Sequence, residues 1–232
     1  MNANKWTKTF RTLALSAAVA SLLAACGKQD ATDQTPAASS GQASAQAEGQ
    51  ALEPVLAAPK EEGFSEYQCT RPVDCNSNVL GASTREEATW LRANGYPSQA
   101  ELKNLRQLSD SQLKAAADAG SVAALAVYGE RLAMGDDTAG GLDALRTAAD
   151  RNSIYAYYGL ARVYAERKGL KNLVESGAYL RVAYMLGDSK AATTLQAGFP
   201  TLHPVENAAI DRRAASLYQT FAKNKAPRPR PT

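Results

Sequence analysis

From Phe64 onward, apolar residues recur three and four positions apart, with polar residues between them and short polar breaks dividing the runs. That spacing is the signature of amphipathic helices. Helix-start signals stand at the head of three runs: Ser83 with Glu86, Ser98 with Glu101, and Ser109 with Gln112. Each fits a capping box, in which two side chains satisfy backbone N–H groups left without partners at a helix start. Asn94-Gly95-Tyr96-Pro97 is a strong stop between the first two. The pattern predicts helices over 84–94, 98–107 and 110–119, the first with Trp90 and Leu91 on its apolar face. Glu86 and Glu87 in its first turn suit the positive end of the helix dipole.

A repeat follows. Leu113-Lys-Ala-Ala-Ala-Asp-Ala-Gly-Ser121 matches Leu145-Arg-Thr-Ala-Ala-Asp-Arg-Asn-Ser153 at an offset of 32, and Leu180-Arg181 restarts the pattern at an offset of 35. Alanine follows each copy at Ala124, Ala156 and Ala192. Tyr128-Gly129 with Leu132, and Leu160-Ala161 with Tyr164, continue the first two. A period of this length made of helix pairs points to stacked repeats. The pattern over residues 110–197 resembles Sel-one-like repeats, a branch of the tetratricopeptide-like class. It exchanges Leu and Tyr in the first copy and has Ala161 where glycine is usual in the second.

The predicted fold is therefore all-α: a short α-solenoid of paired antiparallel helices with capping helices, preceded by a disordered tether. First helices are predicted over 122–134, 153–168 and 189–196, and second helices over 140–151 and 171–187. Residues 84–119 are expected to cap one end. The segment 204–221 begins with proline and is expected to cover the other end, with Val205, Ala209, Leu217, Tyr218 and Phe221 inward. On helix 153–168, Ala156, Leu160, Val163 and Tyr164 form the core stripe. Tyr155, Tyr158, Arg162 and Glu166 form a second stripe, with the aromatic and arginine composition of protein-binding hot spots. The resemblance implies that first helices line a concave surface, which makes this stripe the candidate protein-binding site. The alternative is that the two tyrosines pack against a neighbouring repeat or the cap.

The N-terminal segment has a different character. Lys5, Lys8 and Arg11 precede an apolar run over 12–25 that ends Leu23-Ala24-Ala25-Cys26. This is the layout of a secretory signal peptide, too short for the ~20 apolar residues of a spanning helix. Its ending resembles a bacterial lipobox. The resemblance implies removal of residues 1–25, lipid on Cys26, and, with Gly27 rather than Asp next, the periplasmic leaflet of the outer membrane. Losing three basic residues takes the formal +3 of the whole chain to about zero. The basic balance thus belongs to the leader and gives no footprint for nucleic acid. Residues 26–62 are rich in Ala, Gln, Ser and Gly and read as a tether, with a coil span of roughly 30–35 Å. Residues 63–222 form the helical-repeat domain, its cap helix running over 204–222. The tail 223–232 carries four basic residues and three prolines and reads as a solvated terminus.

With Cys26 assigned to lipid, Cys69 and Cys75 remain as a pair. In an oxidising compartment they are expected to form a structural disulfide, the rival being a redox or metal-binding dithiol. Catalytic signals are sparse. The single histidine, His203, precedes Pro204 at a helix start and has no triad around it. Asp136-Asp137 reads as a turn feeding the next helix rather than a cation site, which needs more oxygens. Gly140-Gly141 lacks the lysine of a phosphate loop. The reading is a non-enzymatic, lipid-anchored protein with no cofactor, metal or small-molecule ligand. It mediates protein–protein interaction as scaffold or adaptor at the cell envelope, its partners being another envelope or periplasmic protein and the membrane through Cys26. Alternatives are an immunity-type inhibitor of a secreted toxin and, less favoured, a cell-wall-active enzyme.

Overall fold

The computed structural model describes residues 63–231. The leader, Cys26 and the tether over 26–62 lie outside the described residues. The fold is all-α. Among the described residues there are eleven helices and no strand, only an isolated bridge between Gln68 and Ala82. Two short helices that the sequence pattern does not announce come first, α1 (Phe64–Tyr67) and α2 (Pro72–Ser77). Then follow α3 (Arg85–Ala93), α4 (Gln99–Gln107), α5 (Asp110–Asp118), α6 (Val122–Met134), α7 (Thr138–Asp150), α8 (Tyr155–Glu166), α9 (Leu173–Met185), α10 (Ser189–Gly198) and α11 (Pro204–Phe221). Cys69 and Cys75 are joined as a disulfide with their Cα atoms 5.6 Å apart, closing the loop into α2.

The capping boxes of α4 and α5 form as the sequence predicts, on Ser98 with Glu101 and on Ser109 with Gln112. The box ahead of α3 is displaced by one residue. Thr84, not Ser83, accepts the N–H of Glu87 at 3.1 Å, while the Ser83 N–H donates to the Glu87 carboxylate at 2.7 Å. Glu87 is nearly fully buried, so its role is not that of an exposed first-turn charge.

The three sequence copies coincide with three equivalent turns. Gly120, Asn152 and Gly187 adopt positive φ, and the residue after each donates its N–H five residues back: Ser121 to Ala116, Ser153 to Ala148 and Asp188 to Ala183. This is the left-handed C-terminal stop in its Schellman form. The same residue then starts the next helix. Ser121 accepts the Ala124 N–H, Ser153 the Ala156 N–H and Asp188 the Lys190 N–H. Leu113, Leu145 and Leu180 are buried at equivalent positions. In the third copy the buried alanine is Ala191, not Ala192, which is half-exposed.

Helices α6 and α7 make the closest pair. A Cβ on Gly141 would lie 2.1 Å from the Ala133 nitrogen and 2.5 Å from the Gly129 carbonyl oxygen, so only glycine lets these backbones meet. Helix α8 packs on α6, α7 and α9, and α9 is covered in turn by α10 and α11. On α11 the inward residues are Ile210, Ala214 and Leu217, with Tyr218 and Phe221 half-buried. Val205 is 77% exposed, contrary to the sequence expectation.

The tail also departs from its expectation. Its last residues return to α3. There the Arg228 carbonyl accepts the Trp90 indole N–H at 2.7 Å, and the Arg230 side chain is fully buried. In a chain of 232 residues, 138 positions separate Trp90 from Arg228, which is why composition read the tail as free terminus.

Candidate functional site

Helix α8 is the centre of the candidate site. It is apolar almost all round, with Tyr155, Tyr157, Tyr158, Leu160 and Val163 all buried, and such a helix belongs inside a molecule. The loop between α3 and α4 closes over its start. Asn94 accepts the Ile154 N–H at 2.9 Å, Gly95 accepts the Ser153 hydroxyl, and Asn152 donates to the Ala93 carbonyl at 3.0 Å. These bonds bring the Tyr96 ring to 5.9 Å from Tyr155 and 6.2 Å from Tyr158.

This arrangement corrects the stripe inferred from sequence. Tyr155 and Tyr158 are 4% and 5% exposed and stack at 6.5 Å, so they do not present an open aromatic surface. The cap covers them. Arg162 and Glu166 lie further along the same side of α8, half-buried and exposed respectively. Arg162 pairs with Glu130 of α6. Burial works against the Arg162 charge, but Glu130, Tyr155 and Glu166 outweigh it and hold the guanidinium protonated.

Two recesses of about 220 Å³ each flank α8. The first has edges of Tyr158, Arg162 and Glu166 on the α8 side, with Leu180 of α9, Thr194 of α10 and Phe199 opposite. The second lies between α4, α6 and α8, over Leu102, Val127 and Met134, with Tyr155 at its base and Arg106, Arg131 at its rim. The structure thus gathers Tyr158, Arg162 and Glu166 at one recess and places Tyr155 in the other. The Arg162–Glu130 pair spans the ridge between them. A wider recess of about 520 Å³ shares Leu102 and Arg106 with the second and continues past Lys103 toward Asn78. Arg131 is tied to the end of α4, donating to the carbonyls of Arg106 and Leu108 at 2.9 and 2.5 Å.

A buried polar cluster sits behind the tyrosines, and the sequence pattern did not disclose it. Asp188 is fully buried and its Oδ2 accepts hydroxyl donors from Tyr96 at 2.6 Å and Tyr158 at 2.5 Å. Its Oδ1 takes the Lys190 N–H and the Arg230 guanidinium, each at 3.1 Å. Burial and the neighbouring Asp188 push both tyrosine hydroxyls well above the ordinary phenol range, Tyr158 adding to the rise at Tyr96, so both remain donors. Glu87 accepts from Arg230 at 2.8 Å and from Lys190 at 2.9 Å. Burial drives its carboxyl upward, but the Ser83 N–H, Lys190 and Arg230 prevail and the net shift is downward. The one available signal was positional. Asp188 stands where the other two copies carry the capping serines Ser121 and Ser153.

The remaining sequence candidates take structural places. Asp137 caps α7 by accepting the Gly140 N–H at 2.8 Å. The exposed His203 begins α11, its backbone N–H donating to Glu206 at 2.9 Å. Among the described residues, no helix is long and apolar enough to cross a membrane. Comparison with protein-family models, with curated proteins and with solved structures returns no match.

Proposed function

We propose that the mature chain is a lipid-anchored helical-repeat module on the periplasmic side of the outer membrane that holds another envelope protein. The observation that carries this reading is the pair of recesses flanking α8, each joining apolar floor to charged rim. Apolar anchors seated in a pocket with a polar rim are the usual anatomy of a protein interface. Lipid on Cys26 and the tether over 26–62 would raise the effective concentration of this face near the membrane.

The test uses charge reversal at the rim, since the tyrosines beneath are needed for folding. Arg162→Glu and Glu166→Lys are compared with the native chain by cross-linking in intact envelopes and recovery of the adduct. A defined adduct that is lost with either variant, while circular dichroism and melting stay native-like, is the expected result. Adducts retained in both folded variants would remove the α8 recesses as the binding face.

A further inference from the structure

The recess that receives Arg230 has the properties of a built binding site. Four acceptors converge on one guanidinium: Glu87 at 2.8 Å, Asp188 at 3.1 Å, and the carbonyls of Val79 at 3.0 Å and Gly81 at 2.8 Å. The Trp90 ring lies 5.6 Å from its central carbon, within cation–π range. Both carboxylates are fixed by something other than the tail. Glu87 is held by the Ser83 N–H, the Ser83 hydroxyl and Lys190. Asp188 is held by Tyr96, Tyr158 and the Lys190 N–H. With Lys190 as the other cation, the two carboxylates leave one negative charge uncompensated unless a second cation enters. A buried unpaired carboxylate is costly, so the site demands a cation, and its planar fork of acceptors fits arginine rather than lysine.

The segment itself is equally matched. Pro229 and Pro231 have no N–H to satisfy. Between them, the Arg230 N–H donates to the Gly187 carbonyl at 2.8 Å, and the Arg228 carbonyl accepts from Trp90. A Cβ on Gly187 would lie 2.2 Å from that Arg228 oxygen, so the glycine gives the peptide room to pass. The Arg228 side chain, one of the same four tail cations, is exposed. The fit therefore belongs to one arginine flanked by prolines and not to tail charge in general.

We propose that this recess is a recognition site for an extended proline–arginine–proline segment, filled in cis by the chain's own C-terminus and able to take the same segment in trans. The proposal does not depend on the α8 recesses.

The probe is a synthetic peptide of residues 223–232, read by the Trp90 indole N–H resonance and by calorimetry. The receptor is the full chain carrying Arg230→Gln, whose own tail no longer supplies the guanidinium. The peptide is expected to bind saturably and restore the native indole position. A peptide with Arg230→Lys should bind roughly tenfold more weakly or worse, whereas one with Arg228→Lys should match the native peptide. A chain ending at Pro227 is the second receptor, with the recess wholly vacated, and the same ranking is expected there. No binding to either receptor, or equal binding of the three peptides, would overturn the site. Should the Pro227 chain not fold, the full-length variant decides alone.

Discussion

At the scale of single residues, charge that is paired out of water governs the behaviour of the cap. Glu87 has a folded pKa below its ordinary carboxylate value, so its ion pairs contribute fully above that value and are lost as pH falls through the folded one. Glu101 works in the opposite sense. Burial, with the nearby Glu66, raises its carboxyl despite the Ser98 N–H, and protonation in acid relieves that cost. The difference between variants is therefore more informative than the native curve alone. Glu87→Gln should lower stability by about 3 kcal/mol at neutral pH, because Lys190 and Arg230 lose their partner. Its stability should then decline less steeply than that of the native chain in acid, below the ordinary carboxylate range, where the lowered Glu87 carboxyl takes up its proton. Parallel acid limbs in urea titrations of the two chains would count against this role. None of this was legible beforehand. A glutamate in a first turn and an arginine in a Pro-rich tail each have an adequate local explanation, and only long-range folding removes both from water.

At the scale of elements, the helix boundaries follow the sequence closely, since caps and stops act within a few residues. Ser98, Ser109 and the left-handed turns at Gly120, Asn152 and Gly187 fall where their local chemistry places them. The faces were less secure. The stripe of Tyr155 and Tyr158 was separated correctly from Leu160 and Val163, but a helix surrounded by α6, α7, α9 and the cap has little outer face to offer. Close packing yields its own prediction. Gly141→Ala would press a methyl into the Ala133 backbone at 2.1 Å and should cost about 3 kcal/mol or more, a loss seen as a lower urea midpoint. Gly198→Ala, at the end of α10 with open space around it, should be neutral or stabilising by about 0.5 kcal/mol. Equal losses at the two positions would show that helix approach is not what Gly141 permits.

At the scale of the whole molecule, the described residues are closed by contacts between sequence-distant ends. Lys190 reaches Asn78 and Gly81, and Lys225 donates to the Ala149 carbonyl at 2.7 Å. The proposed anchoring has a separate test. Cys26→Ser should leave the chain unlipidated and shift it from the membrane pellet to the soluble fraction, with its thermal melting unchanged. Persistence in the pellet would remove Cys26 as the anchor. The sequence by itself determined the helical class, the positions of most helices, the repeated turn and the pairing of Cys69 with Cys75. Each of these depends on interactions among residues near one another in sequence. Only the tertiary structure decided that the α8 tyrosines lie under a cap, that a capping position in the third copy carries the buried hub Asp188, and that Arg230 completes it. Those outcomes depend on which distant surfaces meet, and desolvation then makes a few charged residues matter far more than their local patterns indicate.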